Sequence, residues 1–147
     1  GGIWADVDRA VDVLTAAGAR FALLHCTAAY PVHDPCELNL RVIQTMRDRY
    51  PDVGIGWSGH DPGGNMALVA YAYGARIIET HFTLNRASKG TDHAFSLEPR
   101  GLATLCEDLK KAHLASGDGV KRFYESERKP IAKMRRVQTA EGLRVAG

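Results

Sequence analysis

Two apolar runs in this chain each stop at a histidine. Residues 53–57 lead into Ser58-Gly59-His60, and residues 76–80 lead into His81, with Glu79 two positions earlier. Residues two apart on a strand face the same side, so Glu79 and His81 are expected to point together. Asp92 follows in a Lys89-Gly90-Thr91-Asp92-His93 loop. Imidazoles at neighbouring strand ends, beside Ser58 and Glu79, make half a shell for a divalent cation such as Mn2+, Zn2+ or Mg2+, with positions open for substrate. The alternative is a pair of ordinary loop histidines. Their separation matches no general metal motif, and spacing alone leaves both readings open.

Other residues carry weaker signals. The segment 58–64, SGHDPGG, opens a helix, where free N–H groups and the helix dipole suit a phosphate or carboxylate. The same glycines would serve a tight turn equally well. Tyr30 could offer its hydroxyl to a substrate or only pack its ring. His25, inside an apolar run, reads as a hydrogen-bonded core histidine, and His93 as a substrate contact or a loop brace. His33 and His113 read as exposed, and Thr80, Cys26 and Cys36 support no functional claim.

The elements that must position these groups follow from periodicity. Residues 4–17 place Val7, Ala10, Val11 and Leu14 on one helical stripe, and Gly18 suits the exit. Residues 20–26 form a nearly continuous apolar run, as in a strand covered on both faces. Residues 37–49 predict a second helix with Leu38, Val42, Ile43 and Met46 on one side. Strand 53–57, helix 65–73, strand 76–80, a long loop over 82–97 and helix 99–115 complete the order. Helices alternating with strands are the pattern of parallel βαβ units. Three strands cannot close a barrel, which takes eight. The pattern therefore predicts either a small open α/β sheet or the last part of a barrel.

Composition excludes several classes. The 147 residues are 45% hydrophobic and 24% charged, as in an ordinary globular domain. A formal net charge of +2 argues against a nucleic-acid or membrane-surface binder. No apolar run approaches a membrane span, and three cysteines without Cys-x-x-Cys spacing point to a reducing, cytoplasmic setting. Beyond Gly119 the chain turns basic, through Lys121, Arg122, Arg128, Lys129, Lys133, Arg135 and Arg136, and reads as a solvated linker. A glycine stands first rather than a methionine, which leads to the expectation of a piece cut from something longer.

Taken together, LLHCTAAYP (23–31), LNLRVIQTMRDRYPDVGIGWSGH (38–60), GARIIETHFTLNRASKGTDHAFSLEP (74–99) and GDGVKRFYESERKPIAKMRR (117–136) resemble the sialic acid synthase family. These enzymes condense phosphoenolpyruvate with an N-acyl hexosamine. The resemblance implies an α/β fold: a partial TIM (β/α)8 barrel, its last three βα units with the preceding helix. Residues 1–119 would be this partial synthase domain and 120–147 a linker toward an absent carboxyl-terminal antifreeze-like domain. It also implies a divalent metal, Mn2+ or Mg2+, on His60 and His81, with Glu79, His60 and His81 as the catalytic set. Tyr30, Ser58, Glu79 and Asp92 would line the substrate pocket, with Ser58 near the phosphoenolpyruvate phosphate.

The implied reaction joins phosphoenolpyruvate to N-acetylmannosamine or its 6-phosphate, giving a nine-carbon 2-keto acid and phosphate. The full-length protein would be a homodimer, and this chain alone inactive. Two alternatives stand: another metal-dependent barrel aldolase or lyase acting on a keto acid, or a non-catalytic truncated product. The chain departs from its relatives at Ala28, where they carry Ser or Asn, and at Thr80, where they carry Arg.

Overall fold

The computed structural model describes residues 2–145, Gln138 by its backbone only. The chain divides into two compact units, Gly1–Ala115 and Ser116–Gly147. In the first, helix α1 (Trp4–Ala16) precedes strand β1 (Ala22–Cys26). A 3₁₀ turn (Pro35–Leu38) and α2 (Val42–Arg49) lead to β2 (Gly54–Gly59). Then come α3 (Asn65–Ala72), β3 (Ile77–Thr80) and α4 (Pro99–Ser116). The strands lie in the order β1-β2-β3, all parallel. This is the α/β alternation that the apolar periodicity predicts.

Strand alternation gives β2 two different faces. Ile55 and Trp57 join the core with Ile43 and Met46 of α2 and Ala67 and Ala70 of α3. Trp57 and Ile43 are almost fully buried. The small Ala67 and Ala70 let α3 approach the sheet closely. Gly54, Gly56 and Ser58 occupy the other face, in register with Ala22, Leu24 and Cys26 of β1, and Gly56 and Ser58 with Ile77 and Glu79 of β3. A Cβ on Gly56 would lie 2.5 Å from the Ile77 carbonyl oxygen, so β2 and β3 meet as they do only because this residue has no side chain.

Three features differ from the periodicity reading. The helix expected over 37–49 is broken. Asn39 adopts a left-handed conformation (φ 38°), and α2 starts only at Val42. Leu38 and Leu40 are both buried, and residues two apart point to opposite sides of a helix, so a continuous helix could not bury both. The loop expected over 82–97 contains a third parallel pairing. His81 accepts a hydrogen bond from Leu97 N–H (2.8 Å), Leu97 accepts one from Thr83 N–H (2.9 Å), and Phe82 bridges Leu97 in parallel. No helix separates β3 from that segment.

The third difference concerns residues 120–147, expected as a linker. The unit from Ser116 onward holds a 3₁₀ turn (Glu125–Glu127), α5 (Arg128–Met134) and an antiparallel hairpin of β4 (Arg136–Thr139) and β5 (Gly142–Val145). Short-range pairs such as Arg122–Asp118 (2.6 Å) and Arg128–Glu125 (2.9 Å) brace it, and none of its described residues is buried. Among the described residues, no helix is long and apolar enough to cross a membrane.

Candidate functional site at the strand tips

The carboxyl ends of β1, β2 and β3 bring together Tyr30, His60 and His81, which are 21 to 51 positions apart in sequence. The His60 and His81 rings meet edge to face, with centroids 5.1 Å apart. Tyr30, in the loop after β1, packs over His60 at 4.3 Å and reaches His81 at 5.9 Å. Phe95 closes the far side, 5.0 Å from His81. His60 is buried, whereas Tyr30 is 54% exposed and so presents its ring to whatever enters.

Hydrogen bonding decides which nitrogen of His60 is available. Its Nδ1 lies 3.0 Å from the Thr27 carbonyl oxygen. A carbonyl only accepts, so Nδ1 carries the proton and donates, and the lone pair resides on Nε2. A backbone carbonyl that holds one ring nitrogen in this way is the usual support for a metal-binding imidazole. The Cys26 sulfur sits 3.7 Å from the same Nδ1. On His81, Nδ1 faces the Asp92 carboxylate at 3.6 Å, too long for a hydrogen bond but close enough to orient the ring.

Asp92 owes its position to a loop braced from within. Thr83 Oγ1 pairs with His93 Nδ1 (2.7 Å), Ser96 Oγ donates to the Asp92 carbonyl (2.6 Å), and Arg86 Nε donates to the Ala94 carbonyl (2.8 Å). His93 therefore braces the loop, one of its two expected roles. A cleft of about 270 Å3 opens here among His81, Phe82, Asp92 and His93.

Ser58 and Glu79 form a second pair. They are cross-strand partners, and Ser58 Oγ donates to Glu79 Oε2 at 2.5 Å, leaving the other carboxylate oxygen open. Among the described residues no hydrogen bond or ion pair joins this pair to the histidines. The structure thus groups Tyr30, His60, His81 and Asp92, with Ser58 and Glu79 on the adjoining strand face. His25 makes a 2.8 Å contact with the Leu38 carbonyl, as a hydrogen-bonded histidine should, but it is half-buried and not in the core.

Sequence reasoning overlooked the Thr27 carbonyl, Phe95 and Asp61. A backbone acceptor leaves no mark in residue type, whereas Phe95 lies inside the quoted motif and could have been marked as apolar support. Asp61 has a buried Oδ1 without a hydrogen-bond partner, and burial raises its carboxyl above the ordinary range. No group of three or more His, Cys, Asp or Glu among the described residues is arranged around one ion. The donor set fits a divalent cation held by two imidazoles and completed by water or substrate oxygens.

Comparison with known proteins identifies the family to which this sequence and fold belong. The model of the NeuB family matches residues 3–121. The N,N'-diacetyllegionaminic acid synthase of Campylobacter jejuni is 38% identical over 139 residues, covering 92% of this chain and 41% of that protein. The human N-acetylneuraminate-9-phosphate synthase is 41% identical over 108 residues, covering 74% and 30%. Among solved structures, the N-acetylneuraminic acid synthetase of Leptospira borgpetersenii, in complex with citrate, superposes with a TM-score of 0.77 at 34% identity. That match covers 88% of this chain and 45% of that one. The chain thus spans less than half the length of these relatives, and its parallel strands are part of a barrel. With most of its length matched, this chain belongs to the NeuB family, the sialic acid synthases.

Proposed function

We propose that this chain is the aldehyde-activating part of a synthase that condenses phosphoenolpyruvate with an N-acyl hexosamine, N-acetylmannosamine or its 6-phosphate. The observation that carries this reading is the His60–His81 pair, two imidazoles 5.1 Å apart with the Nε2 of His60 left free by Thr27. A bound Mn2+ or Mg2+ would polarise the sugar aldehyde and stabilise the alkoxide as it forms. His60 and His81 would hold that ion. Tyr30 walls the pocket, while Asp92 and the open oxygen of Glu79 accept hydrogen bonds from sugar hydroxyls. Ser58 stands on the side where the phosphate of phosphoenolpyruvate enters.

The chemistry balances as follows. C3 of phosphoenolpyruvate bonds to the aldehyde carbon, and the aldehyde oxygen becomes a hydroxyl after protonation. Water then adds at C2 and phosphate leaves, giving a nine-carbon 2-keto acid. Glu79 is the carboxylate best placed to move protons on the phosphoenolpyruvate side, because it is bonded to Ser58. The parent enzyme works as a cytoplasmic homodimer. The present chain lacks turnover, because a closed barrel takes eight strands and the outer edge of β1 is unpaired among the described residues.

Calorimetry with Mn2+ tests the site directly. One saturable site is expected, and His60→Asn or His81→Asn should abolish it. Undiminished binding in both variants would remove the basis of this reading. Phosphate release from phosphoenolpyruvate and N-acetylmannosamine should be near zero for this chain, and a rate matching a full-length relative would refute the claim that it is inactive alone.

A further inference from the structure

The end of the sheet opposite the histidines holds a cleft of about 360 Å3. Arg47, Asp48, Tyr50, Pro51 and Val53, from the end of α2 and the turn after it, form one side. Gly54, Ile55, Gly74 and Arg76, from the starts of β2 and β3, form the other. This volume is in the range of small-molecule sites. Two guanidinium groups and a single carboxylate, Asp48, are among the lining residues, so the lining carries excess positive charge.

The two arginines are held differently, and both keep donors free. Arg76 is anchored: Nη1 donates to the carbonyls of Ala75 (2.8 Å) and Tyr71 (3.2 Å), and the guanidinium carbon lies 4.7 Å from the centre of the Tyr71 ring. Its Nε and Nη2 have no hydrogen-bond partner among the described residues. Arg47 has neither a hydrogen bond nor an ion pair among the described residues, yet its side chain is not loose. It lies across Gly74, where an added Cβ would come within 2.6 Å of Arg47 Cδ, and Gly74 itself has a φ of +105°. The missing side chain at position 74 is what allows Arg47 to lie there, beside Arg76.

We propose that this cleft binds a phosphate monoester. Forked guanidinium donors match the tetrahedral oxyanion, and a dianion answers two cations where a single carboxylate answers one. Pro51 and Val53 offer an apolar wall to the rest of the ligand, which a bare ion would leave unfilled. The site is separate from the strand tips and does not depend on the reaction assigned to them.

The test is calorimetry on the full 147-residue chain in chelator, with inorganic phosphate, glycerol 3-phosphate and acetate as probes. Both phosphates should bind saturably, the monoester more tightly, and acetate at least tenfold more weakly. Arg47→Met should weaken phosphate at least tenfold, and Arg47→Lys, which keeps the charge but not the fork, by a smaller factor. Gly74→Ala, which displaces Arg47 without removing it, should also weaken binding. Thermal melts confirm that each variant is folded, and the Arg47→Lys and Gly74→Ala arms stand if Arg47→Met is not. A His60→Asn/His81→Asn double variant should bind phosphate unchanged. Absence of saturation, equal affinity for acetate, or loss in the histidine variant with retention in Arg47→Met would each overturn the proposal.

Discussion

The first unit contains two clusters of polar side chains that use their hydrogen bonds in opposite ways. At the seam between α1 and α2, Asp8 accepts from Arg49 Nε (2.8 Å), Arg49 Nη2 (2.5 Å) and the Tyr50 hydroxyl (2.6 Å). Arg49 also lies over the Trp4 ring at 5.3 Å. Every charge there is answered within the cluster, so nothing is left to offer a ligand. At the strand tips the hydrogen bonds use up donors and leave acceptors. His60 gives its Nδ1 proton to Thr27, Ser58 gives its own to one oxygen of Glu79, and Asp61 Oδ1 is unanswered. A closed cluster fixes one helix against another. An open one has lone pairs for chemistry.

The sharpest way to break the contrast is to remove an imidazole. In the full-length parent enzyme, His60→Ala should lower turnover by more than the roughly 10–100-fold that changes to supporting residues around a metal cost. Loss of the corresponding seam residue Arg49 should leave kcat near its starting value in protein that remains folded. Steady-state phosphate release measures both, and equal losses in the two variants would erase the distinction.

The next largest effect tests whether the open cluster depends on backbone packing beneath it. Gly56 is two residues below Ser58, and a Cβ there meets the Ile77 carbonyl and Cβ. Gly56→Ala should destabilise the fold by about 1–3 kcal/mol, as overpacking does. It should also weaken Mn2+ binding by separating the tips of β2 and β3. Denaturant melts and metal titration read the two consequences separately, and an unchanged midpoint would show that the strands can part without penalty.

How far the sequence carried depended on the kind of signal. β1, β2 and β3 were legible because each is a short apolar run bounded by turn residues, and the histidines stand where those runs stop. The break at Asn39 was not, because Leu38, Val42, Ile43 and Met46 keep helical spacing across it. The pairing at Leu97 was hidden because a single bridging residue has no period. The second unit was obscured by its charges, which dominate composition while the hairpin rests on backbone pairing through Gly142. In the site, side chains were visible and backbone acceptors were not. Tyr30 and His60 could be named from their motifs, but the Thr27 carbonyl that sets the His60 tautomer has no residue signature.

A smaller change concerns the loop that brings Asp92 to His81. Thr83 is buried, and its hydroxyl meets His93 Nδ1 at 2.7 Å and accepts from Asn85 N–H at 3.2 Å. Thr83→Val keeps the shape and removes these contacts together with the 3.2 Å one to the Asn85 carbonyl, at a cost of about 1 kcal/mol. Because Asp92 stands beside the His81 ring and is not one of the two proposed metal ligands, metal affinity should fall by less than in the histidine variants. Amide exchange across residues 84–94 should rise, and unchanged exchange would mean that the remaining bonds hold the loop alone.

The smallest effect belongs to the seam, and it follows pH. Asp8 has its carboxyl lowered from 3.8 to about 2, first because Arg49 donates to it and then because Tyr50 does. The unfolded chain therefore takes up the proton before the folded one, and the linked stability is complete above the unfolded value. It is lost as pH falls toward 2. Both partners are largely in water, so the pair contributes weakly and is screened by salt. Asp8→Asn should lower the thermal midpoint slightly at neutral pH and low ionic strength. The gap from the unaltered chain should narrow as pH drops below 4 and as salt is raised, whereas metal affinity at the strand tips should not change at neutral pH. A gap that is constant with pH would mean that Asp8 acts through packing rather than charge, and the seam would then owe its closure to Trp4 and Tyr50 instead.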